Sequence, residues 1–218
     1  HKYQVTSEGN LLRISYRHPY QEDLPELDVS TLQDQIGNFT KVLINLEYEM
    51  LEDHDVKNFI FLFTEASHID SVTLMLRQAE LKATVMLKLL TSLHHLSNLA
   101  SLSLDMSEST IEDTQRIGAN FDIMNQDLFE ILAVTLAPCV NLKELEVKFD
   151  GLKIEGNEEG KQLESFNNFV KIFSRLKSIT KLKLSFSGSN LTQTQFLLIL
   201  KGLSGMVSLK DLALDFTR

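Results

Sequence analysis

At 218 residues, 43% of them hydrophobic and only 3 Pro and 9 Gly, the chain can build a sizeable ordered core and is too poor in breakers to be low-complexity. Thirty acidic against 21 basic residues give a net charge of -9 and a pI near 5.2, and the basic residues are scattered. A nucleic-acid surface, which needs a clustered Lys/Arg stripe, is therefore excluded. Cys139 is the single cysteine, so no internal disulfide can form. No apolar run approaches the roughly 18–20 residues that cross a bilayer, and residues 1–10 are too polar for a signal peptide. The expected setting is intracellular, in the cytoplasm or the nucleus, without membrane contact. A chain that opens on His1 rather than Met is expected to be a piece of a longer one.

In chain order, the first strand candidate ends on Leu12 and Ile14. The same apolar pair recurs at Val42/Ile44, Val72/Leu74, Leu102/Leu104, Leu145/Val147, Leu182/Leu184 and Leu212/Leu214. The second members are spaced by 30, 30, 30, 43, 37 and 30 residues, a period that marks a stack of similar units. Five residues before that reference stand Phe39, Ile69, Leu99, Leu142, Ile179 and Leu209. Two residues after it stand Tyr16, Leu46, Leu76, Met106, Phe149, Phe186 and Phe216. Alternation about the reference predicts one short strand per unit with one face buried.

Between strands the spacing becomes that of a helix. Val56, Phe59, Phe63 and Ala66 form one apolar stripe, and Met86, Leu89, Leu93 and Leu96 repeat it. Three more follow: Phe129, Leu132, Leu136 and Cys139; Phe166, Phe169, Phe173 and Leu176; Phe196, Ile199, Leu203 and Met206. Thr192 and Gln195 fit a capping box at the start of the last. A leading turn is expected at Leu51, Leu81, Ile111, Ile154 and Leu191, each seven residues past the strand reference.

The run Leu136-Ala-Pro-Cys139-Val-Asn-Leu142-Lys-Glu-Leu145-Glu-Val147 resembles the repeat signature of ribonuclease-inhibitor-type leucine-rich repeats. Leu51-Glu-Asp53 and Ile111-Glu-Asp113 resemble the step that opens the helix in that class. The resemblance covers residues 9–218. The family's asparagine after the strand is replaced by Glu47, Arg77, Ser107, Asp150, Ser187 and Thr217, so a regular asparagine ladder is not expected.

The resemblance implies an α/β leucine-rich-repeat solenoid, a horseshoe with a parallel concave sheet and convex helices. It would be a single domain over residues 1–218 with six to seven repeats. The last strand, ending at Phe216, is expected to need further chain beyond Arg218, or a partner, along its edge.

In this family the concave face carries binding, which places Lys41, Asn45, Met75, Asp105, Glu144, Glu146, Lys148, Lys183 and Asp215 on the candidate surface. Its carboxylates suggest a basic protein partner. The two long repeats add a second candidate surface, Ser107 to Gln126 and Asp150 to Glu164, with Glu155, Glu158 and Glu159 as acidic loop residues.

Catalysis finds little support. His94 and His95 have no third ligand at a useful spacing, and Cys139 occupies a packing column. His54 and Asp55 fit a helix start, and Gly202-Leu-Ser-Gly205 matches a nucleophile elbow only superficially. No metal, cofactor or catalytic residue is expected. The expected function is a non-catalytic interaction or scaffold module. The resemblance also implies one alternative, a GTPase activator using Arg77 at a strand exit; a structural subunit of a large assembly is a further one.

Leu145 sits in the shared core column. Replacing it with Asp should bury a carboxylate and cost about 3–5 kcal/mol, visible as a collapsed melting transition. A wild-type melting curve from Leu145→Asp would overturn the register.

Overall fold

A computed structural model describes residues 2–17, 36–48, 50–51, 53–112, 128–152 and 159–217. The recurring apolar pairs form strands because each pair lies on one side at period two, buried from β2 to β10 and left partly open on β11 at the edge of the sheet. These are β2 (Leu11–Arg17), β3 (Lys41–Asn45), β5 (Ser71–Met75), β7 (Ser101–Asp105), β9 (Glu144–Lys148), β10 (Lys181–Ser185) and β11 (Asp211–Asp215). All pair in parallel, in chain order, and the pairing never slips. Ile14 lies opposite Ile44, Ile44 opposite Leu74, and so on through Leu104, Val147, Leu184 and Leu214.

Among the described residues, five α-helices lie on the other side. They are α1 (Asp53–Glu65), α2 (Ala83–Thr91), α3 (Leu128–Leu136), α4 (Glu159–Phe173) and α5 (Gln193–Leu203). The stripes Val56/Phe59/Phe63/Ala66 and Phe166/Phe169/Phe173/Leu176 are fully buried against the sheet. Helix α5 starts on the expected capping box: the Gln195 N–H donates to Thr192 Oγ1 at 3.3 Å, and the Thr192 N–H donates to Gln195 Oε1 at 2.9 Å. Strands advance about 4.8 Å per repeat while packed helices need about 8–10 Å, so the stack bends with the sheet on its inner side. Strand, turn and helix repeated on one parallel ladder define a leucine-rich-repeat solenoid.

Three features depart from the sequence reading. Strand β1 (Lys2–Glu8) pairs antiparallel with β2 through a Gly9-Asn10 turn, so a hairpin lies at this edge of the sheet, with Tyr3 edge-on to Phe59 at 5.9 Å. The expected leading turn is itself extended: β4 (Met50–Leu51), β6 (Glu80–Lys82) and β8 (Thr110–Glu112) form a second, three-stranded parallel sheet, with Leu51 and Leu81 buried. Glu159 opens helix α4 instead of lying in a loop: the helix that carries the buried Phe166 stripe begins about two turns ahead of it.

Every described strand-exit turn passes through one left-handed residue, four positions after the reference. These residues are Tyr48 (φ 66°), Gln78 (54°), Glu108 (55°), Gly151 (64°) and Gly188 (66°). Glycine adopts this conformation without a Cβ clash, and the other three pay for it in backbone strain. The N–H of each donates to the turn of the next repeat, as in Tyr48 N to Arg77 O at 3.0 Å and Gly151 N to Ser187 O at 2.7 Å.

Gly202, in the run that superficially matched an elbow, lies within α5, where a Cβ would fall 2.4 Å from Val170 Cγ1 and 2.8 Å from the Val170 carbonyl of α4. It is a contact point between helices. Gly202→Ala should force the two helices apart at a cost of about 1–3 kcal/mol in chemical denaturation, despite alanine's better helix propensity.

Candidate functional site

Between the buried positions, each strand turns three side chains outward. The nine residues singled out from sequence (Lys41, Asn45, Met75, Asp105, Glu144, Glu146, Lys148, Lys183 and Asp215) all lie on this outward side, half-buried or exposed. Glu155 and Glu158 lie outside the described residues, as do 113–127 of the first long repeat.

The carboxylates on this face are less available than their number suggests. Lys148 Nζ lies 3.7 Å from Asp105 Oδ2 and 3.8 Å from Glu146 Oε1, and Lys183 Nζ lies 3.8 Å from Glu146 Oε2. The chain of alternating charge across β7, β9 and β10 largely neutralises itself. Glu144 and Asp211, by contrast, are exposed and form no ion pair among the described residues.

Three of the nine also shape the turns. Asn45 Oδ1 accepts the Glu47 N–H at 3.0 Å, Asp105 Oδ1 accepts the Ser107 N–H at 3.1 Å, and Asp215 Oδ1 accepts the Thr217 N–H at 2.9 Å. These bonds to Thr217 hold the Asp215 carboxyl below its ordinary range. Where β9 ends in Lys148, Asp150 substitutes from the next turn position, accepting the Ser187 N–H at 2.9 Å and the Ser185 hydroxyl. The same local bond thus recurs one residue past the strand reference on β3, β7 and β11, while Met75, Lys148 and Ser185 hold that position on the strands between, so no regular ladder forms.

At the strand-exit rim, Arg77 Nη2 donates to Glu108 Oε1 at 2.9 Å, and Gln78 Nε2 donates to Glu108 Oε2 at 2.5 Å. The arginine considered for GTPase activation is thus already paired with the next repeat. Two of the remaining chemical candidates, His94 and Cys139, are held by one backbone carbonyl. His94 Nε2 lies 3.0 Å from the Thr135 carbonyl, and Cys139 Sγ donates to the same carbonyl at 3.3 Å. Burial pushes the Cys139 thiol up to about 11, so it is protonated at neutral pH. Both residues border a cavity of about 80 Å³. That is well below the roughly 300–1,000 Å³ of small-molecule sites. The described residues contain no cluster of three or more potential metal ligands, and none of their helices is long and apolar enough to cross a membrane.

No family model and no curated protein matches the chain. Among solved structures it is similar to internalin C2 from Listeria monocytogenes, with 14% identity and a TM-score of 0.41. The match covers 86% of this chain and 66% of that one, so the chain spans just under two thirds of that protein's length. A likeness of this order carries nothing about ligand or activity.

Glu108 offers a direct check on the rim. Its carboxyl is held below its ordinary range first by the Gln78 amide and then by Arg77. A depressed native pKa stabilises the fold above the unfolded-state value, and this contribution is lost as pH falls through the native one. Carboxyl-detected NMR titration should place the Glu108 midpoint below that of an ordinary glutamate, and both Gln78→Ala and Arg77→Ala should raise it.

Proposed function

We propose that the chain is a non-catalytic protein–protein interaction module that receives its partner on the outward face of the parallel sheet. The observation that carries this reading is the unbroken alternation of burial: strands β3, β5, β7, β9 and β10 each bury two side chains and present three to one continuous open surface. Loops or helices do not provide such a surface, because only a strand ladder holds side chains from many repeats in fixed rows. The repeat of strand, rim turn and helix, with the Leu136–Val147 run, supports assignment to the ribonuclease-inhibitor type.

Partner chemistry follows from the unpaired groups. Leu43, Ser71, Thr73, Met75, Ser101 and Ser103 make an uncharged centre, and Glu144 and Asp211 supply the free carboxylates. A basic partner would be drawn to Glu144 and Asp211, which flank Lys181 in register, as one component of a larger intracellular complex. The acidic segment around Glu155, Glu158 and Glu159 is a second surface for such a partner. A GTPase-activating role gains no support, since Arg77 would first have to leave Glu108.

Affinity capture from cell extract, quantified by mass spectrometry, tests the face. Thr73→Trp and Ser103→Trp should abolish capture of a stoichiometric partner, and Glu144→Lys should weaken it in a salt-dependent way. Lys57→Trp, on an exposed helix position, should leave it unchanged. Capture indifferent to both tryptophans would remove the sheet face from consideration.

A further inference from the structure

Of the five left-handed turn positions, two hold glycine and two hold side chains tied to each other, Gln78 and Glu108. Tyr48 is different. Its ring makes no hydrogen bond or ring contact among the described residues, and the residue is 63% exposed. An aromatic residue at positive φ is a backbone outlier; its N–H still donates to Arg77 O at 3.0 Å, but its ring gains no contact that would offset the strain.

Two residues on, Met50 is 58% exposed and opens the edge strand β4, where it pairs in register with Glu80 of β6. Glu47 precedes Tyr48 in the chain and Glu80 lies opposite Met50; Glu49 and Glu52 of the same run lie outside the described residues. Glu47 and Glu80 form no ion pair among the described residues. Of the cations nearby, Arg77 is neutralised by Glu108 at 2.9 Å, and Lys82 stands two residues beyond Glu80 on β6, exposed.

We propose that Tyr48 and Met50 anchor a second protein-docking site, on the strand-exit rim. Its occupant is a partner segment that presents a Lys or Arg beside an aliphatic side chain. A cation over the Tyr48 ring would meet the ring's negative face and the Glu47 and Glu80 carboxylates together, and the aliphatic neighbour would cover Met50. Tyr and Met are the residue types that concentrate at the centres of interfaces, and a strained turn that keeps Tyr where Gly fits better sacrifices stability for a surface. The rim site stands independently of the sheet face.

The test uses the 218-residue chain and a phage-displayed library of random 12-residue peptides, depleted on Tyr48→Gly before each round of selection. Recovered peptides should carry Lys or Arg next to Leu, Ile or Met. Their affinity, read by fluorescence anisotropy, should fall about tenfold or more in Tyr48→Gly and Met50→Ser, and be kept in Tyr48→Phe. High salt should weaken it. Tyr48→Gly should meanwhile raise the melting temperature by about 2–4 °C, since glycine relieves the turn. A variant that melts higher and binds less separates docking from packing. Recovery of peptides without basic residues, equal binding by Tyr48→Gly, no enrichment over the starting library, or a lower melting temperature for Tyr48→Gly would each overturn the proposal.

Discussion

The parallel backbone ladder, in register from β2 to β11, is the constraint on which the rest of the molecule depends. It is longer than the strands. Ahead of them, Ala100 N–H reaches Asp70 O at 2.8 Å and Lys210 N–H reaches Thr180 O at 2.8 Å. After them, Leu46 N–H reaches Met75 O at 2.8 Å and Phe186 N–H reaches Asp215 O at 2.8 Å. Because each backbone group in this segment is tied to its equivalent in the next repeat, a one-residue slip would turn every buried side chain outward. The repeat can therefore vary in length only outside the ladder. Its two long intervals, 43 and 37 residues, keep the pairing of Leu104 with Val147 and Val147 with Leu184 intact.

That constraint also decides what the core is made of. Identical offsets bring like residues together, so the column two past the reference becomes a row of stacked rings. Phe149 and Phe186 lie 4.7 Å apart with planes 20° from parallel, and Phe186 and Phe216 lie 5.8 Å apart at 10°. Helices cannot follow the strand spacing without spreading, and the fold meets this by bending and by thinning the helix contact where α4 and α5 converge, at Gly202. A single repeat buries none of this alone, so its stability is that of the contact with its neighbours.

Much of this was legible in the sequence because period-two and helical spacings recur at fixed offsets: Leu145 and Phe166 announce burial by their columns. What was missed lay outside the columns or used them for a second purpose. Strand β1 has no counterpart in later repeats, although Tyr3 and Val5 alternate as a strand should. Leu51 and Leu81 keep a fixed offset from the strands, but two or three residues are too few to distinguish a strand from a turn. Asn45, Asp105 and Asp215 were read as surface groups from their outward parity, which is right, yet their short side chains bend back to the N–H two residues on, a competition sequence parity cannot see. The Arg77–Glu108 pair spans 31 residues, and only the ladder makes those residues neighbours.

The two candidate surfaces differ in how they would recognise a partner. On the sheet face, Asp105, Glu146, Lys148 and Lys183 from adjacent strands already satisfy one another, so a partner arriving there gains by charge only at Glu144 and Asp211 and otherwise depends on shape and on the hydroxyl-lined centre. At the rim the ladder fixes the backbone but leaves the left-handed side chains free of the core, and acidic groups around Tyr48 keep their field. Long-range attraction within the roughly 8 Å screening length of physiological salt would thus act first at the rim. Close packing would act on the face. A ligand long enough to bridge both would join two modest contacts at high effective concentration, and its affinity could then exceed what either surface supplies alone.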